Sequence, residues 1–311
     1  MKGETPMTEV VSKTAKRVLA SLVVFIVFIY VSVFICKIPG DYTIKKVDGH
    51  WTSTYTLSQI VEPTNDKFLS LAKFDLGKTQ KDGKSLNYLV KDLLPKTLQL
   101  LFGGLFFGTL LGVFKGILDS KRGKSHESSV KILSTIIPIS LPDILIICLL
   151  QKMALFLYTK GITIFKVAGS GSVNHMLLPV IALSIMPACY IARITAMAID
   201  ECYDKDYIKA AIGKGCSKYR VLWNHAMRNA VPAIIESLPS ITFIIIGNLM
   251  MVEYMFYYNG LTQSLMGFFK KNDGNGVVAN VILIGVVYFL LDTLFRLLKS
   301  AVAKPLKEEG I

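Results

Sequence analysis

The chain has 311 residues, 52% of them hydrophobic and 18% charged, and a formal net charge of +13. Its mean hydropathy is +0.49, and its apolar residues come in blocks close to the roughly 17–25 residues with which a helix crosses a bilayer, which excludes an ordinary soluble domain. The excess of Lys and Arg fits the cytoplasmic loops of a polytopic membrane protein better than a surface for nucleic acid.

The first predicted span runs from Val18 to Cys36, nineteen uncharged residues between Arg17 and Lys37. Lys13, Lys16 and Arg17 precede it, as they would a signal peptide. The run is longer than the roughly 7–15 residues of a signal core, and ICKIPGD offers no small-residue cleavage site. An uncleaved span is expected, with residues 1–17 in the cytoplasm.

Residues 37–96 come next, with ten lysines against seven acidic residues. The segment is too long for a plain connector. It reads as a small ordered extracytoplasmic cap or, alternatively, as a loosely folded loop. Five further spans are expected at about 97–118, 130–154, 176–197, 237–256 and 277–298, so that the membrane core covers 97–298 and residues 299–311 form a tail. Six spans put both ends on one side. The short loops SKRGKSHESSVK and 200–236 carry most of the local positive charge, which places them and both ends in the cytoplasm.

Charge inside a span is costly, so ionisable residues there are candidates for function. Asp143, after Pro142, is a candidate for the translocation path, where it would meet the ammonium group of a peptide or a cationic substrate. The alternative is a helix-end residue close to water. Glu253 is a candidate for the path or its external gate, with a bracing role favoured. Asp292 and Arg296, four residues apart, are expected to pair. Arg193 either snorkels or bridges to the following loop. The five cysteines contain no CxxC and the four histidines no HExxH, so no metal site is expected.

The loop over 200–236 interrupts two very apolar segments with DKDYIKAAIGKGCSKYRVLWNHAMRNAVP. Asp204 or Asp206 caps a short helix in which Tyr207, Ala211 and Gly215 share one small apolar stripe. Gly213 and Gly215 then favour a turn, Ser217 caps a second helix, and Pro232 marks the bend into the fifth span. A DNA-reading helix–turn–helix has a similar grammar, but tight tethering between two spans argues against it.

Here the residues carry a resemblance. Asp206-Tyr-Ile-Lys-Ala-Ala-Ile-Gly-Lys-Gly215 followed by His225-Ala-Met-Arg-Asn-Ala-Val-Pro232 resembles the EAA loop of ABC-importer permeases, in particular the oligopeptide/dipeptide/nickel branch. Pro39-Gly40-Asp41, Phe74-Asp-Leu-Gly77, Pro95-Lys-Thr-Leu98, Ser140-Leu-Pro142, Arg193 and Glu253-Tyr-Met-Phe256 match further motifs of that branch in order. The resemblance implies an all-α integral membrane protein with six transmembrane helices and a cytoplasmic coupling loop, the type I ABC importer permease fold. It implies that Asp206, Tyr207, Ala210, Ala211 and Gly215 couple the chain to an ATPase, with Asp206 capping.

The implied partners are a second permease subunit, two cytoplasmic ABC ATPases and an extracytoplasmic substrate-binding protein in a bacterial inner membrane. The chain has no GxxxxGK[ST] phosphate loop, so ATP and Mg would be bound by the ATPase subunits and no cofactor by this chain. Oligopeptides or dipeptides are the expected cargo, with nickel or metal–chelator complexes as the alternative. Two readings of other classes are an ion-coupled secondary transporter working through Asp143 and Glu253, and a membrane-embedded enzyme, for which no nucleophile–base signature is visible.

Overall fold

The computed structural model describes residues 6–38, 43–47, 50–73, 75–122 and 129–302. Pro39-Gly40-Asp41, Phe74, residues 123–128 of the SKRGKSHESSVK loop and the end of the tail lie outside the described residues.

In chain order the elements are α1 (Pro6–Lys37), a hairpin of β1 (Ile44–Val47) and β2 (His50–Ser53), α2 (Leu57–Ala72) and α3 (Leu94–Asp119). They continue with α4 (Ser129–Ser140), α5 (Asp143–Thr159), α6 (Val173–Tyr203), α7 (Asp206–Gly213), α8 (Lys218–Arg220), α9 (Arg228–Met255), α10 (Leu261–Lys270) and α11 (Gly274–Val302). A π-helical turn at Leu89–Leu93 runs into α3, and another at Val221–Met227 joins α8 to α9. The fold is helical as expected. The hairpin, paired from Ile44↔Ser53 to Val47↔His50, is an addition that the sequence reading did not contain.

Five described segments are long and apolar enough to cross a membrane: Val18–Lys37, Leu89–Asp119, Val173–Tyr203, Lys218–Met255 and Gly274–Lys299. The third span, expected over 130–154 with two prolines in it, is the pair α4 and α5, bent by 100°. The cause is local. Pro142 crowds the backbone of Leu141 out of the helical region, and its own extended ψ of 136° starts α5 in a new direction.

The chain forms two compact units. The smaller takes in Ala15–Lys96 and Gly260–Phe289. Its core joins Leu76, Leu86, Leu89 and Leu93 to Leu261, Phe268 and Ala279, and a second cluster unites Val33 with Val278 and Ile282. Buried Asp273 fixes the start of α11, accepting from the Gly276 amide through Oδ1 and from the Gln80 amide through Oδ2, both at 3.1 Å. Residues 76–93 are thus folded against α10 and the beginning of α11.

The larger unit is built chiefly from Thr97–Asn259 and includes α11 from Leu290 onward. Its tightest seam is a run of glycines on one face of α3. A Cβ added at Gly104, Gly108, Gly112 or Gly116 would lie 2.9, 2.8, 2.7 and 2.5 Å from the Cβ atoms of Leu183, Pro187, Ile191 and Thr195 on α6. Glycine every fourth residue therefore lets the two helix backbones touch along four turns, a device suited to lipid, where dispersion packing replaces the hydrophobic effect.

At one end of this seam the Asp200 carboxylate of α6 accepts from the amides of Lys121 (2.7 Å) and Arg122 (3.1 Å). Lys115 of α3 bonds Asp119 and reaches the Thr135 hydroxyl of α4. Asp292 and Arg296 pair at 2.7 Å as expected, and Lys299 pairs with Glu236 of α9.

Candidate coupling loop and membrane-embedded carboxylates

Helix α6 ends at Tyr203, and Lys205, with an extended ψ of 146°, turns the chain into α7. Asp206 is then the first helical residue, so the expected capping by Asp206 is not what forms. Its carboxylate is 99% exposed and pairs with Lys209 at 3.1 Å. The cap position belongs to Lys205, one residue earlier, whose side chain makes no capping bond. A solvated pair of this kind adds little stability, although a carboxylate in the first turn suits the helix dipole.

The buried face of α7 is Ile208 and Ala211, which pack with Val221 beside Tyr203 and Cys216. This corrects a second expectation: Ala211 faces into its own subunit and is not free for a partner. Tyr207, Ala210 and Gly215 are exposed. So are Ile212, Tyr219 and Trp223, all large and apolar; the sequence reading did not single out Tyr219 or Trp223. Tyr219 and Trp223 stand four residues apart, with ring centroids separated by 6.1 Å. That spacing within a basic segment was the available signal.

Gly215 ends α7 through backbone geometry. Its φ is +80°; its amide bonds the Ile212 carbonyl (2.9 Å) and the Cys216 amide bonds the Ala211 carbonyl (3.1 Å). These two bonds make the left-handed helix terminus that glycine adopts without steric cost. Ser217 then accepts from the Arg220 amide at 3.4 Å and opens α8, as expected.

Two further links attach the loop to the membrane helices. The Asn229 amide donates to the Tyr207 hydroxyl at 2.9 Å and to the His225 carbonyl at 3.0 Å. Partial burial, followed by a hydrogen bond with Cys202, pushes the Tyr207 phenol up to about 12, so it stays neutral in cells. Beneath the loop, Ile199 and Cys202 of α6 pack against Leu222, Ala226, Met227 and Ala230 leading into α9, with Val113 and Ile117 of α3 alongside. Packed side chains thus connect α7 to α6 and α9.

The two carboxylates have different settings. Glu253 is fully buried and accepts from the Thr97 hydroxyl at 2.7 Å. Around it the end of α9 is held at several points. Gln151 donates to the Met255 carbonyl (2.9 Å), the Gly169 amide to Phe256 (3.0 Å) and the Tyr258 amide to the Glu253 carbonyl (2.9 Å). Burial and the nearby Glu253 charge push the Tyr258 phenol up. This is a brace. Glu253→Ala is expected to lower stability by about 1–3 kcal/mol by leaving the Thr97 hydroxyl without that acceptor, and Glu253→Gln by less. Thermal unfolding of the purified chain in detergent checks the order of the two variants.

Asp143 is the first residue of α5 and half-buried. With Asn248 it supplies the polar lining of a crevice otherwise walled by Ile146, Ile147, Ala182, Leu183 and Val252. The crevice has room for about one water molecule (about 10 Å³). Asp143 and Glu253 do not share it. Arg193 is exposed.

Residues 89–304 match the family described as binding-protein-dependent transport system inner membrane component. The chain is 28% identical over 268 residues to the peptide transport system permease protein SapB of Haemophilus influenzae, covering 78% of this chain and 83% of that one. It is 28% identical over 235 residues to the dipeptide transport system permease protein DppB of Bacillus subtilis, covering 74% and 75%. It is 26% identical over 269 residues to the putrescine export system permease protein SapB of Escherichia coli, covering 78% and 84%. Among solved structures, the inward-facing MetNI methionine ABC transporter shares the fold at a TM-score of 0.58 and 17% identity, over 70% of this chain and 97% of that one.

Proposed function

Since the chain belongs to the family of inner membrane components of binding-protein-dependent transport systems, we propose that it is the half of a peptide importer's membrane channel that receives the ATPase stroke through α7. The finding that carries this reading is an exposed short helix joined to α6 and α9 by Ile208, Ala211, Val221 and the Tyr207–Asn229 bond. Tyr207, Ala210 and Gly215 form the accessible contact, Ala211 positions the helix from below, and Asp206 sits in its exposed first turn.

The partners are a second permease, two cytoplasmic ATPases that bind ATP and Mg, and an extracytoplasmic binding protein. The chain lies in a bacterial inner membrane with both ends and the α7 loop in the cytoplasm. Glu253 braces the outer end of α9.

Peptides are the cargo. The relatives from Haemophilus influenzae and Bacillus subtilis carry peptide and dipeptide transport in their names. A small cationic amine is the second reading, supported by the half-buried Asp143 carboxylate and by the name of the Escherichia coli relative. Metal–chelator complexes are the alternative that the resemblance to the nickel branch allows.

Reconstitution with the partner subunits into liposomes tests the reading. Labelled di- and oligopeptides are expected to accumulate only with ATP and binding protein, and to do so in the presence of a protonophore. Uptake by this chain without ATPases, driven by a proton gradient, would overturn it. Accumulation of putrescine in place of peptides would move the cargo to the second reading.

A further inference from the structure

The smaller unit contains a cavity that the transport reading does not use. Its volume is about 540 Å³, within the range of about 300–1,000 Å³ found for specific small-molecule sites. Most of its wall is apolar, with Ile26 of α1, Phe68 of α2, and Ile282 and Val286 of α11 among the lining side chains. Its polar lining comes from Asn87 and Lys91, at the turn that leads into α3.

Three observations identify the occupant. First, Ile26 lines the cavity while remaining 44% exposed on α1, a helix whose spanning window is only 6% buried. The cavity thus opens onto an apolar surface that faces hydrocarbon in a membrane, so a chain from the bilayer can enter sideways without meeting water. Second, Asn87 and Lys91 fall where the apolar run of Leu89–Asp119 begins, the boundary at which lipid headgroups lie. Third, two lysine side chains stand at the cavity or beside its wall. Lys91 is exposed, and the Lys67 ammonium bonds the carbonyl of Leu76 in the cavity wall at 2.8 Å. Desolvation, and then the charge of Lys37, hold Lys67 below the ordinary lysine range against the opposing charge of Asp75.

We propose that this cavity is a lipid site that seats one acyl chain of an anionic phospholipid among Ile26, Phe68, Ile282 and Val286, with its phosphate at Lys91 and Asn87. The apolar wall supplies affinity and the lysine supplies selectivity for the headgroup, since each exposed Lys or Arg near a membrane surface favours anionic lipid.

The test uses the full chain in nanodiscs of equal parts phosphatidylglycerol and phosphatidylcholine. The probe is a phosphatidylglycerol carrying a photoreactive diazirine on its acyl chain, with crosslinks mapped by mass spectrometry. Crosslinks are expected to concentrate on the cavity-lining residues of α2 and α11, and an excess of unlabelled phosphatidylglycerol should reduce them several-fold more than phosphatidylcholine does. Val286→Trp narrows the cavity and should reduce these crosslinks several-fold while those on the outward face of α3, at Phe106 and Phe114, persist. Lys91→Gln should keep them and remove the preference for phosphatidylglycerol. Crosslinks spread evenly over all exposed apolar faces, or equal competition by the two lipids on the wild-type chain, would overturn the proposal whatever the variants do.

Discussion

Gly112→Leu is expected to prevent the larger unit from assembling, and Gly112→Ala to destabilise it by about 1–3 kcal/mol, the usual cost of overpacking. A Cβ at Gly112 meets Ile191 Cβ at 2.7 Å and the Ala188 carbonyl oxygen at 2.8 Å. Both contacts oppose it. A Cβ and a helical carbonyl alike move only if the backbone of α6 moves, and α6 is fixed on either side by the same seam at Gly108 and Gly116. Gly247 on α9 is the control, because a Cβ there has nothing within 4 Å and alanine raises helix propensity. Melting of the two alanine variants in the same detergent checks the prediction: Gly112→Ala should fall well below wild type and Gly247→Ala should match or exceed it. Equal melting points would mean that the α3–α6 contact is looser than its geometry.

The sequence made this seam only partly visible. The glycines of LLFGGLFFGTLLGVFKGIL announce a close helix contact, yet nothing in the run names the partner, because Leu183, Pro187, Ile191 and Thr195 carry no matching pattern. The spans were legible from their apolar length, and their helical ends were not. The fifth span, read as 237–256, belongs to a helical stretch beginning at Lys218, since a helix runs on through polar residues after it leaves the hydrocarbon. At the third, Pro138 and Pro142 stood in the sequence, but a proline can kink a helix or end it. The 100° bend follows from Pro142 standing at the N-terminal cap of a new helix that begins at Asp143.

In the loop, the order of helix, glycine turn and second helix was readable from Gly213, Gly215 and Ser217. Which face of α7 points inward was not. Tyr207 with Ala210 and Ile208 with Ala211 are both apolar pairs three residues apart, rotated by one position, and periodicity alone ranks them equally. Val221, Tyr203 and Cys216 decide in favour of Ile208 and Ala211. The hydrogen bond from Thr97 to Glu253 spans 156 residues, and no local pattern predicts a contact at that separation.

That inward face allows coupling to be separated from folding. Ala210→Arg should insert normally, melt like wild type and lose ATP-driven uptake by at least about tenfold, within the roughly 5–150-fold range of ordinary coupling free energies. Ala210 is exposed on α7, so a long charged side chain costs the subunit little and obstructs only a partner. Gly215→Asp acts by another route. Its Cβ meets nothing within 4 Å, but φ of +80° puts a non-glycine residue in strained backbone, costing about 1–2 kcal/mol, and shifts the turn that sets α7 against α8. Its uptake should also collapse, with some loss of stability. Gly215→Asn, which tolerates left-handed geometry better, should recover part of the activity. Reconstituted uptake, read beside ATPase co-purification and melting temperature, tells these apart: Ala210→Arg should lose the bound ATPase with its fold intact. If Ala210→Arg transports at the wild-type rate while Gly215→Asp fails only in proportion to its lower stability, α7 is a structural turn and the ATPase docks elsewhere.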